Sequence, residues 1–216
     1  MLDGFVPPLL VVGAGLLLGW FRQVYVDRRG RRTLTGDLAV IAAVVCLAAV
    51  LELAMGRAPV YQHGPIRVWS GDVSSDQNSQ QVFDPYSLTH VTHGAAFYGL
   101  TRLVLGPAAI GPSAIIAITL EAAWEAYENT DTVINRYRTE TISLGYFGDS
   151  VLNSLADVLA CAVGLLLAWR LPTLATVSWI VAVELVLALW IRDNLTLNII
   201  MLIHPIDAIK AWQMGV

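Results

Sequence analysis

Charge is scarce in this chain and lysine almost absent: 14% of its 216 residues are Asp, Glu, Lys or Arg, and Lys210 is the single lysine. A soluble domain carries about a quarter charged residues, so an ordinary globular protein is excluded. With a formal net charge of -4, no basic surface of the size that nucleic acid demands can form. Cysteine is limited to Cys46 and Cys161, each inside an apolar run. They read as small core residues, not as a disulfide or a metal pair. No Pro/Ser-rich linker divides the chain, and no positive stretch precedes the first apolar segment, so residues 1–216 read as one domain with an uncleaved first anchor.

What is abundant is hydrophobicity, at 56% of residues and a mean hydropathy of +0.62. About 20 apolar residues carry a helix across a bilayer, and about 17 is the lower limit. Six stretches come close: Phe5 to Phe21, Leu38 to Met55, Ser87 to Leu105, Ala108 to Tyr127, Ser150 to Trp169 and Thr173 to Ile191. The expected fold is therefore all-α, a polytopic membrane bundle of about six transmembrane helices. The tail after Asn194 is apolar but broken by Pro205, and reads as an amphipathic or re-entrant segment. Arg22, Arg28, Arg29, Arg31 and Arg32 follow the first stretch, which puts that loop in the cytoplasm and the N-terminus outside. Trp20, Trp169 and Trp190 fall near span ends, as interface anchors do. Gly94, Gly99 and Gly164 are expected to let helices approach closely.

In any alternating six-span arrangement the loops after spans two, four and six share one face, and the polar residues inside spans three to five flank those loops. At 1.5 Å per residue, His90 and His93 enter span three at the same depth at which Glu121 and Glu125 leave span four and Asp157 enters span five. The spacings i,i+3 (His90, His93), i,i+4 (Glu121, Glu125) and i,i+4,i+8 (Asp149, Asn153, Asp157) put each set on one helical face. An ionisable group at the bilayer centre costs about 2.5–3.5 kcal/mol, so these side chains are expected to face one another. Arg136 and Arg138 in NRYRTET stand as partners that fold back over the pocket and offer guanidinium forks to carboxylates or a phosphate.

Two readings of the constellation stay open at this level. In one, His90, His93, Glu121, Glu125 and Asp157 are catalytic, with His90 or His93 as general acid or base and Glu121, Glu125 or Asp157 orienting the histidine or binding a cation. Arg136, Arg138, Asp149 and Asn153 then bind a phosphorylated lipid or lipid-linked envelope substrate. In the other the same groups form a non-catalytic network, as a structural, accessory or ion- or lipid-binding protein would have. A metal held by the histidines and the three acids is a third use of the residues, and neither metal nor cofactor follows from the sequence. Membrane lipids are the expected partners; protein partners are not indicated. Glu52 and Glu184 read as single packing partners. The loop over 56–86 exceeds an ordinary connection; Trp69, Val73 and Phe83 argue for a packed lid, and a plain solvated loop is the alternative.

Three segments, NSQQVFDPYSLTHVTHGAAFY, WEAYENTDTVINRYRTETISLGYFGDSVLNSLADVLACAVG and IRDNLTLNIIMLIHPIDAIKAWQ, together resemble the uncharacterised protein family 0314 of bacterial multi-pass membrane proteins. The resemblance runs from about Met55 to Gln213 and implies the bacterial inner membrane, but no reaction. Where members tend to carry Cys-x-Cys this chain has Tyr61 and His63, and Gly145 stands where an acid precedes the tyrosine. The order of histidine span, Glu121, loop arginine, and Asp149 with Asn153 is more loosely similar to VanZ-like membrane proteins, which implies a cell-envelope role by analogy alone.

Overall fold

A computed structural model describes residues 3–106 and 109–215. Among these, nine α-helices follow a short 3-10 turn at Asp3–Phe5: α1 (Val6–Arg29), α2 (Leu34–Ala54), α3 (Ser87–Leu105), α4 (Ile110–Glu128), α5 (Asp131–Glu140), α6 (Val151–Arg170), α7 (Thr173–Trp190), α8 (Leu195–Ile203) and α9 (Asp207–Met214). No strand occurs among the described residues. The fold class is all-α.

Four helices, α1, α2, α6 and α7, are long and apolar enough to cross a membrane. The six expected spans each have a helix of 18 residues or more, but α3, with His90 and His93, and α4, with Glu121 and Glu125, stand outside that apolar set, so four of the six are apolar enough to span. Boundaries shift for local reasons. Helix α1 runs eight residues past Phe21 to Arg29, because Gly30 closes it in the left-handed region (φ 63°) where the Val26 carbonyl is capped. Arg22 therefore lies within α1, not in a loop, buried against Asp37 at 2.9 Å. The expected start of span four at Ala108 lies outside the described residues; α4 begins at Ile110.

Helix α4 is central, packing on α1, α2, α3 and α6, while α7 lies against α3 and α6. The tightest pair is α3 with α6, and two glycines explain it. A Cβ on Gly94 would stand 1.9 Å from the Cys161 carbonyl oxygen, and one on Gly164 would stand 1.8 Å from that of Val91. Gly99, expected to act likewise, faces open space. Leu174 and Leu189 of α7, and Leu103 and Val104 at the end of α3, are largely exposed, an apolar exterior that suits lipid better than water. Cys161 is buried in the core and Cys46 exposed, both as free thiols.

One end of the bundle is capped by chain outside the long helices. The segment 56–86 is packed: Trp69 bridges to Phe83 and stacks on Trp190 with ring centroids 6.2 Å apart, and Gln80 and Gln81 are fully buried. It also completes α6, whose first amides would otherwise be unpaired. Ser150 N–H donates to Ser79 O, Val151 N–H to Ala58 O and Leu152 N–H to Pro59 O, at 2.9–3.1 Å. The tail caps the same end. The chain doubles back after Trp190, so that the Glu184 carboxylate accepts from Leu195 N–H and Thr196 N–H at the start of α8. At nine residues α8 is about 14 Å long, too short to span.

Candidate functional site

The sequence NRYRTET, expected as a loop, belongs to α5 up to Glu140, with Thr141 as its C-cap. Thr130 caps it by accepting from Val133 N–H, and Val133, Ile134 and Tyr137 turn its apolar face inward. That leaves the arginines on the outer face. Arg136 donates to the Leu202 and Ile203 carbonyls at the end of α8, where a cation meets the negative end of a helix dipole. Arg138 is exposed. The structure does not bring either guanidinium into the pocket.

It does bring together five groups from three helices. His90 and His93 of α3 both turn their Nδ1 atoms to the Glu121 carboxylate of α4, His90 at 2.6 Å from Oε1 and His93 at 3.0 Å from Oε2. Glu125, one turn on, places Oε1 3.2 Å from the same His90 nitrogen. On α6, Asp157 Oδ2 stands 3.9 Å from His90 Nε2. All five side chains are buried. Both oxygens of Glu125 and the Oδ1 of Asp157 have no hydrogen-bond partner among the described residues, an unusual condition for buried carboxyl groups. The arginine ion pairs found among the described residues lie elsewhere, on Asp37 and Asp131.

Asp149 and Asn153 stand nearer the capped end and are already engaged. Asp149 accepts from Asn129 Nδ2 at 2.9 Å and from the Tyr146 hydroxyl at 2.9 Å. Burial, together with the charges of Glu128 and Asp157, holds the Asp149 carboxyl well above the usual carboxylate range. Asn153 donates weakly to the Val82 carbonyl at 3.5 Å, tying α6 to the packed segment.

A polar cavity of about 40 Å³ reaches from His90, His93 and Asp157 towards the capped end, between Glu128, Tyr137 and Asn198. That is room for about three waters. Glu128 escaped notice in the sequence although it completes the i, i+4, i+7 series with Glu121 and Glu125; Tyr86, Tyr137 and Asn198 give no signal, because distant elements bring them there. Beside the cavity, an apolar groove of about 280 Å³ opens on the outer surface of the α3–α6 pair, lined by Trp69, Phe83, Val91, Leu159 and Val163. Ser87 lies between the two, lining the groove on one side and neighbouring Asp157 of the cavity on the other.

Comparison with known proteins places the chain in a family. A family model described as "Protein of unknown function (DUF2585)" matches residues 52–215, which include every residue of the cluster. A UPF0314 protein of Rhizobium meliloti is 47% identical over 190 residues, covering 88% of this chain and 96% of its own. One from Sphingopyxis alaskensis is 46% identical over 181 residues, with 84% and 96% covered. One from Novosphingobium aromaticivorans is 45% identical over 198 residues, with 88% and 99% covered. A kinship with VanZ-like proteins is not shown. No solved structure matches.

Proposed function

We propose, from the premise that this chain belongs to the UPF0314 family, that it is a multi-pass protein of the bacterial inner membrane that takes up the head group of a lipid or lipid-linked envelope molecule at the outer face. The carrying observation is the adjacency of an apolar groove, lined in part by Ser87, to a polar cavity equipped with acid–base groups, lined in part by Asp157. An acyl or isoprenoid chain belongs in the groove, whose walls are Val91, Leu159 and Val163 and whose roof is the Trp69–Phe83 bridge. The head group then meets His90 and Asp157, which are placed to give and take a proton.

Five arginines within or just after α1 favour a cytoplasmic location for that end of the bundle. The packed segment 56–86 and the tail then face outwards. A phosphorylated head group remains within the proposal, but Arg136 and Arg138 do not supply its counter-charge, because α5 turns them outward. In a cavity lined by Glu128, Asp149 and Asp157, a phosphate would need a bridging cation.

The test is native mass spectrometry with lipid identification on detergent-purified wild type and Val163→Trp, which fills the groove from its exposed edge without entering the core. Co-purification of one lipid class with the wild type, reduced several-fold in Val163→Trp, supports the reading. Equal lipid content and composition in both overturns it and leaves the cluster as a packing network.

A further inference from the structure

We propose that His90, His93 and Glu121 form a binding site for a divalent metal ion of the zinc type, with Glu125 beside it as a further ligand and Asp157 orienting His90. The proposal uses the same cluster as the reading above but does not depend on a lipid in the groove.

Three observations converge. The first is geometric: one donor atom from each of His90, His93 and Glu121 lies within 4.8 Å of the others. Ligands around a tetrahedral ion with bonds of 2.0–2.1 Å stand about 3.3 Å apart, so small side-chain rotations suffice. Helix α3 supplies both imidazoles from adjacent turns, and α4 presents the carboxylate between them.

The second is charge. Glu121, Glu125 and Asp157 are three buried acids, and the only basic groups paired with them among the described residues are the two histidines. With the three acids ionised and the imidazoles neutral the cluster would carry three negative charges in a region of low dielectric, and a dication would cancel two. Protonating both imidazoles would cancel as much charge, yet it would leave the third observation unexplained. Both oxygens of Glu125 are buried without a hydrogen-bond partner, as is Oδ1 of Asp157. A buried carboxylate with no donor is what an ion-binding site presents before its ion is considered.

The donor set selects the ion. Two imidazoles with a carboxylate suit Zn²⁺ or Fe²⁺, whereas Ca²⁺ and Mg²⁺ take oxygen ligands. His90 would ligate through Nδ1, the nitrogen that faces Glu121, and leave Nε2–H directed at Asp157, the carboxylate–histidine arrangement that fixes a metal-binding ring. The adjoining cavity has room for water as the open ligand.

The test is titration of the chelator-treated full-length protein in lipid-free detergent with Zn²⁺ alone, followed by gel filtration and metal analysis. We expect about one zinc per chain to be retained in the wild type. His90→Gln and His93→Gln should each weaken binding at least tenfold, and Asp157→Asn by less. Retention below a tenth of an equivalent in the wild type overturns the proposal, as does undiminished zinc in both histidine variants. Should those variants fail to fold, X-ray absorption of the zinc-loaded wild type decides: a shell with two imidazoles supports the site, and one without them refutes it. Because no lipid is present, failure here is separate from failure of the Val163→Trp experiment.

Discussion

Glu121 holds His90 at 2.6 Å, Oε1 to Nδ1, in a position where the glutamate is wholly inaccessible to solvent and the imidazole nearly so. A second imidazole, His93, occupies the other carboxylate oxygen at 3.0 Å. Glu121 is thus satisfied, while Glu125, one turn away on the same helix, is not.

That contrast predicts opposite outcomes from one chemical change. In metal-free protein, Glu121→Gln replaces one of the two oxygens that pair the histidines by an amide NH2 and removes the charge they share, and should destabilise by about 1–3 kcal/mol. Glu125→Gln alters a buried carboxyl group that accepts no hydrogen bond, its near neighbour being His90 Nδ1 at 3.2 Å, and should leave stability unchanged or raise it. Thermal unfolding in detergent with a chelator present reads both. Equal losses would mean that Glu125 has partners which its geometry does not reveal.

Close approach of α3 and α6 rests on Gly94 and Gly164, whose hydrogens point at the opposing backbone. Backbone cannot swing aside as a side chain does. Gly94→Val and Gly164→Val should each cost about 3 kcal/mol or more, with a matching drop in membrane-inserted protein. Gly99→Ala, with nothing within 4 Å of its Cβ, should stay within about 0.5 kcal/mol of wild type. A loss at Gly99 as large as at Gly94 would contradict this packing.

The docking of the tail should depend on pH through Asp193. Its carboxyl accepts from the Tyr86 hydroxyl at 3.1 Å and from Gln213 Nε2 at 3.0 Å, and burial, opposed by these bonds, pushes its pKa from 3.8 up to about 6. A raised acid pKa means that the folded tail keeps a proton which the unfolded chain has released. Its contribution is therefore intact below about pH 4, declines between pH 4 and 6, and is lost above that window. Hydrogen exchange over residues 191–213, corrected for the intrinsic rate, should show weaker protection at pH 7 than at pH 5. Asp193→Asn should flatten the difference. Persistence of the same difference in the variant would assign it to another group.

The fold was largely legible because it rests on runs and periods. Helix α3 matches its expected bounds residue for residue, and α6 and α7 match theirs within one. The polar cluster was legible for the same reason: i,i+3 and i,i+4 spacings are properties of a single helix, and a common depth follows from helical rise. What escaped is what depends on contacts between distant segments. Helix α5 was hidden because its ten residues are mostly polar, although the Thr130 cap and the spacing of Val133, Ile134 and Tyr137 mark it. The direction of Arg136 and Arg138 followed from that omission, since an inward-turned apolar stripe sends the arginines outward. The packing of segment 56–86 through Gln80, Gln81 and the Trp69–Trp190 stack has no periodic signature.

The proposed orientation makes the last prediction. Segment 56–86, α5 and the tail are joined at one end, where Arg57 donates to Asp131 and to the Phe147 carbonyl, and Lys210 to the Thr139 carbonyl. The α1–α2 turn, with Arg32 on Asp37, lies at the other. In a background with Cys46→Ala and Cys161→Ala, a cysteine at Ser74 should react with a membrane-impermeant maleimide in cells with a permeabilised outer membrane. A cysteine at exposed Arg31 should react only after the inner membrane is opened. Both positions are exposed, so a difference in labelling reports sidedness and not burial. The reverse pattern would move the cavity mouth to the cytoplasm. An envelope molecule would then have to be met on the inner leaflet, and the outer-face reading would fall while the cluster's geometry stood unchanged.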